Sequence, residues 1–155
     1  MAYPYRSILT PIEFDDPSLM ALDLAKKIAT DKDATVHLLH IAQRLPAFGE
    51  SDVSENEHSP VEKKAREMLI GIAEQHLIGV RYEVHTASAS ARALAKAIIQ
   101  VVKQVNADLI ILNTHARKGL SRFILGNVAE EVVRTAPCPV LTLSPAAQEQ
   151  AAHSG

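Results

Sequence analysis

Tryptophan is absent from this 155-residue sequence, and only three tyrosines and three phenylalanines occur. So few aromatic faces argue against stacking platforms for single-stranded nucleic acid. One cysteine, Cys138, is present, so no internal disulfide can form, in keeping with a reducing compartment. Neither sign of charge dominates: the formal net charge is −2, the pI is near 6.4, and no long basic run appears. That balance indicates neither an electrostatic grip on nucleic acid nor attachment to an anionic membrane. No apolar run approaches the length of a membrane span, and the opening "MAYPYRSILTP" lacks the basic region and long apolar stretch of a secretory signal. A cytoplasmic protein with no nucleic-acid and no membrane partner is expected.

What is present is an ordinary globular composition, 47% hydrophobic and 22% charged, at a length that fits one domain. The domain is expected over residues 1–145, with a disordered tail over 146–155. Residues 5–12, "YRSILTPI", read as a short buried strand. "EFDDPS" follows, with Asp15 or Asp16 capping a helix that has Pro17 in its first turn and an apolar face of Leu19, Leu22, Ala25, Ile28 and Ala29. "ATVHLLHI" is a second strand. Residues 42–60 have no apolar period and are acidic in the middle, which predicts a mobile connection.

From Val61 the helical spacing is clear, through Ala65, Met68, Leu69, Ile72, Ala73, His76 and Leu77, and Gly79 stops it. "VRYEVHT" alternates as a third strand, and Ser88 or Ser90 is placed to cap a third helix carrying Ala91, Leu94, Ala95, Ile98, Val101, Val102 and Val105. "ADLIILN" is a near-continuous apolar strand, as expected when helices cover both sheet faces. Val128, Ala129, Val132, Val133 and Ala136 define a fourth helix, and "PVLTL" a fifth strand. The alternation implies an α/β fold: a single open, doubly wound, Rossmann-like sheet of five parallel strands with four helices. Pro137 and Pro139 bracket the start of the last strand, which belongs at a sheet edge. Residues 139–143 are apolar for an edge and invite pairing in a homodimer.

In such a sheet a ligand settles at the carboxyl ends of the strands. Pro11, Ile12 and Glu13, then His40 and Ile41, then Asn113 and Thr114 should converge there. Gly126 begins the fourth helix, so the free N–H groups of Asn127 and Val128 would carry its positive dipole end toward an anion. Arg117 and Arg122 add charge, and Gly119 lets the segment turn. The same residues also read as an ordinary helix start without a ligand. No G-x-G-x-x-G follows the first strand, and no glycine is followed by Lys and Ser or Thr as a P-loop requires.

"ILTPIEF" and the block "ADLIILNTHARKGLSRFILGNVAEEVVRTAPCPVLTL", with the strand and helix order between them, resemble the universal stress protein (UspA) superfamily across residues 3–144. The resemblance implies an adenine nucleotide alpha hydrolase-like fold and a non-catalytic, dimeric stress-response module. The family's nucleotide-binding members carry G-x2-G-x9-G-[S/T]. That frame falls here on Asn113, Ala116, Gly126 and Asn127, of which Gly126 matches outright. The resemblance further implies adenine and ribose contacts at Pro11, Ile12, Glu13 and Ile41. Phosphates of ATP or another adenine nucleotide, bridged by Mg2+, would lie against Ala116, Arg117, Gly126, Asn127 and Val128. Glu13 replaces the family's usual Asp, Ala116 adds a β-carbon, and Asn127 exchanges a hydroxyl for an amide that still donates. Two alternatives accompany this reading: a non-nucleotide-binding interaction protein of the same fold, and a slow ATPase. The protein partner is unknown.

The seven histidines lack the helical i, i+4 pairing or cysteine cluster of a zinc site, so no metal ligands are expected. His40 and His115 fall beside the cleft, as cleft lining or as ordinary polar residues near a loop. Ser121 with His115 has no G-x-S-x-G elbow, and no catalytic residue is assigned. Cys138 reads as a small buried hydrophobe.

Overall fold

The computed structural model describes residues 5–30, 33–44, 53–54, 60–114 and 126–143. The strands are β1 (Ser7–Pro11), β2 (Thr35–Arg44), β3 (Val53–Ser54), β4 (Arg81–Ser90), β5 (Leu109–Asn113) and β6 (Val140–Leu143). The helices are α1 (Asp16–Thr30), α2 (Pro60–His76), α3 (Leu94–Gln104) and α4 (Asn127–Thr135). They form one sheet in the order β3-β4-β2-β1-β5-β6. Five strands are parallel; β3 alone runs antiparallel, pairing Val53 with Ala89 and Ser54 with Ser88. The five-stranded parallel sheet with four helices is the expected one, with β3 as a short addition from the segment expected to be without structure. The expected tail lies outside the described residues.

Burial explains the apolar strands. Ile8, Leu9 and Thr10 of β1 are fully buried because both sheet faces are covered. On one face α1 and α2 pack Leu22, Ala25, Leu69 and Ala73 against Ile8, Val36, Leu38 and Ile111. On the other, α3 and α4 set Ile98, Val102, Ala129 and Val132 against Leu9, Leu39, Ile110 and Leu112. The alanines at helical spacing let helix backbones approach the sheet closely.

The chain leaves β1 outward to β2 and β4, then crosses to β5, so the order reverses between β1 and β5. Only Ile8↔Leu109 and Leu9↔Ile110 pair across that junction. Asp108 reinforces it, its carboxylate accepting the N–H groups of Arg6 at 2.8 Å and Ser7 at 3.1 Å. One boundary differs from expectation. β4 runs on through Ser90, and a single 3-10 turn over Ala91–Ala93 precedes α3. Ser88 is therefore a buried strand residue, and Ser90 makes no side-chain cap bond.

Candidate functional site

The carboxyl end of β1 is built by local chemistry. Pro11 ends the strand, and Ile12 extends the ladder by one bond, its N–H donating to the Leu39 carbonyl at 2.7 Å. Phe14 then takes a positive φ of 59°, which turns the chain toward α1. Asp15 is the residue that caps α1: its Oδ1 accepts the Ser18 N–H at 3.0 Å and the Ser18 hydroxyl at 2.5 Å. The Ser18 Oγ in turn accepts the Glu13 N–H at 2.9 Å. His40 at the β2 end fixes the junction from the side. Its Nδ1 lies 2.8 Å from the Ile12 carbonyl oxygen, which only accepts, so Nδ1 carries the proton. Its ring lies 4.5 Å from that of Phe14.

These elements enclose a cavity of about 370 Å³, within the ~300–1,000 Å³ typical of small-molecule sites. Its apolar wall is made by Ile12, Leu39, Ile41, Ile98 and Val128, and its polar rim by Glu13, Asp15, His40 and Gln43. Pro11 and Leu94 complete the lining. The wall can take a flat apolar ring, and the rim carboxylates can accept hydroxyl protons.

Across the cavity, α4 begins where the sequence places it. Gly126 is the N-cap, with no side-chain cap bond, and its carbonyl accepts the Glu130 N–H at 3.0 Å. Among the described residues no side chain caps the N–H groups of this first turn, and the positive dipole end there suits an anion. A β-carbon built at Gly126 would meet no described atom within 4 Å, and its φ of −48° suits any residue. Glycine is therefore not demanded there by the described fold.

Of the residues singled out in the sequence, Pro11, Ile12, Glu13, Ile41 and Val128 line the cavity together. Gly126 and Asn127 start α4 beside it without lining it. Asn113 ends β5, and its Oδ1 is buried with no hydrogen-bond partner among the described residues. Ala116 and Arg117 lie outside the described residues, as do His115, Gly119 and Arg122. Sequence reasoning did not place Leu39, Gln43, Leu94 or Ile98 at the cavity. Leu39 and Gln43 stand two residues either side of Ile41 on the same strand face, a period-two signal that was readable.

Comparison with known proteins agrees with this architecture. The universal stress protein family matches residues 4–144. A universal stress protein of Methanocaldococcus jannaschii is 33% identical over 148 residues, covering 90% of this chain and 82% of that one. Among solved structures, the universal stress protein UspA of Lactobacillus plantarum superposes with a TM-score of 0.71 at 19% identity, covering 92% of this chain and 99% of that one. Two further structures of the same fold hold nucleotides. One is a universal stress protein in complex with cAMP, with a TM-score of 0.66 at 17% identity and coverage of 92% and 98%. The other, from Archaeoglobus fulgidus, is in complex with dAMP, with a TM-score of 0.61 at 20% identity and coverage of 90% and 98%. Among the described residues, no helix is long and apolar enough to cross a membrane. Matched by the family along nearly its whole length, and by a relative at a third identity, this chain belongs to the universal stress protein family.

Proposed function

We propose that the protein is a non-catalytic, homodimeric stress-response module of the cytoplasm that binds an adenine nucleotide in the cavity at the carboxyl ends of β1 and β2. The observation that carries this reading is the juxtaposition of an apolar slot with a helix start that no described side chain caps, Val128 belonging to both. The base would lie against Ile12, Leu39 and Ile41, and the ribose hydroxyls would donate to Glu13 or Asp15. The phosphates would take the first-turn N–H groups of α4, with Asn127, and Arg117 as their counter-charge. The room that the described residues leave at Gly126, and the Asn113 Oδ1 that has no partner among them, fit a ligand at this end of the sheet. Mg2+ would bridge the phosphates and supply charge neutralisation. That related proteins of this fold hold cAMP and dAMP supports the choice of adenine.

The test is a thermal melt with and without Mg-ATP. At a hundred times its dissociation constant the nucleotide stabilises the fold by about 2.7 kcal/mol, a rise of roughly 5–10 °C. Gly126→Val should abolish the rise while lowering the ligand-free melt only modestly: valine is a poorer N-cap than glycine, but the described fold has room for its side chain. A rise that persists in Gly126→Val places the nucleotide elsewhere. No rise at millimolar ATP favours the second reading, an interaction protein without nucleotide, for which Asn113 and Ala116 in place of the family's glycines speak.

A further inference from the structure

We propose that His37, Glu83 and His85 form a binding site for one divalent transition-metal ion of the zinc type. None of the three lines the cavity described above. The site follows from strand geometry. Glu83 and His85 are two apart on β4 and so point to one sheet face, and the parallel register sets His37 of β2 directly opposite Glu83. His37 Nδ1 and His85 Nε2 are 2.9 Å apart, and Glu83 Oε2 lies 3.4 Å from the first and 3.8 Å from the second. Zinc bonds of about 2.0–2.2 Å in a tetrahedron place neighbouring donor atoms about 3.3–3.6 Å apart. The three separations straddle that value, so small side-chain adjustments bring all three donors onto one point.

The environment suits a cation with an open position. His37 is buried, His85 is a quarter exposed and Glu83 is 61% exposed, so an ion can enter from the solvent side and keep a water as fourth ligand. Burial lowers the affinity of both imidazoles for protons, and for His85 the neighbouring His37 and Arg66 lower it further. Neutral imidazole is the ligating form, and two nitrogens with one carboxylate match zinc or its neighbours in the first transition row. Glu83 acts in the other direction on both histidines, and at His85 it opposes Arg66, whose guanidinium donates to the Val84 carbonyl at 3.3 Å. Without an ion, the same pair is a neutral imidazole donating to another, with Glu83 only loosely engaged.

The experiment uses untagged, chelator-stripped protein, without nucleotide, titrated with ZnCl2 by calorimetry and followed by melting. One equivalent per chain and a rise of roughly 5–10 °C at a hundred-fold excess over the dissociation constant are expected. Co2+ in place of Zn2+ should give the intense visible bands of a four- or five-coordinate ion. Glu83→Gln changes an exposed side chain and should weaken binding at least roughly tenfold, since even outer-shell partners of a metal site cost 10–100-fold. His85→Ala should abolish the cobalt bands, and His76→Ala, on α2 beside Asp23 of α1 and outside the group, should keep them. A melt that Zn2+ does not move overturns the site, as does one equivalent bound with unchanged affinity in Glu83→Gln. If His85→Ala does not fold, Glu83→Gln and the cobalt spectrum decide.

Discussion

Asp108 shows how much one side chain can hold at a junction that the sheet itself pairs sparingly. Its carboxylate takes two backbone donors at the start of β1, and its own N–H donates to the Ser7 carbonyl at 2.9 Å. Asp108→Ala leaves the Ser7 donor without its partner and is expected to cost about 1–3 kcal/mol, read as a lower urea midpoint with unchanged slope. Asp108→Asn keeps one acceptor and should lose less. In sequence Asp108 was only the polar entry to an apolar strand, because its partners lie about a hundred residues away. Cys138 reads more nearly as expected: it is partly buried and packs against the α3 and α4 core. Burial, and then the Asp108 carboxylate, raise its thiol above the ordinary value. The raised folded value means that stability from the neutral thiol is complete below the ordinary thiol range and falls away as pH climbs through the folded value. Cys138 is therefore expected to react more slowly with a thiol reagent near pH 8 than the same cysteine in denatured protein. Equal rates would show that the thiol is not shielded.

Elements were legible where a period ran long enough. The faces of α1 and α2 follow from apolar spacing, and the α4 start follows from Gly126, because a helix of this kind buries one stripe whatever its neighbours are. The β4 to α3 boundary was not legible. Ser88 and Ser90 resemble caps, yet Ser88 and Ala89 are buried in the strand and receive β3, a two-residue pairing too short to leave a period. Strand register likewise hides the His37, Glu83 and His85 group, since helical spacing rules do not see partners across two strands. The cavity was half legible for the same reason: Pro11, Ile12, Glu13 and Ile41 follow from strand ends, whereas Ile98 depends on how α3 lies over the sheet. The end of α3 carries a further signal. Asn106 has a φ of 50°, its N–H donates to the Lys103 carbonyl and the Ala107 N–H to the Val102 carbonyl, a Schellman motif with Asn in the left-handed position. Asn106→Val should cost about 1–2 kcal/mol through that conformation, while Asn106→Gly should cost nothing measurable, both read by chemical denaturation.

For the whole molecule the decisive feature is the asymmetry of the sheet's two edges. At one, β3 covers part of β4; at the other, β6 is bonded to β5 on one side only and no described strand lies beyond it. Leu141 of β6 is 40% exposed and Val133 of α4 is 48% exposed, an apolar margin that favours closure by a second copy about a two-fold axis. A dimer is expected by light scattering at micromolar concentration. Leu141→Lys should yield a folded monomer, because a half-exposed side chain can change without opening the core. A dimer that survives the change has its seam elsewhere. The β6 edge is also tied to the end of β5: Thr114, following β5, donates both its N–H and its hydroxyl to the Leu143 carbonyl of β6, at 3.2 and 3.0 Å. Pairing at β6 therefore bears on the strand end from which the chain runs toward Arg117 and Gly126. Any factor by which dimerisation changes nucleotide affinity must equal the factor by which nucleotide changes the dimer constant. Weaker Mg-ATP binding in Leu141→Lys, matched by tighter wild-type dimers in Mg-ATP, would establish the coupling; equal nucleotide affinity in monomer and dimer would show that the two sites act independently.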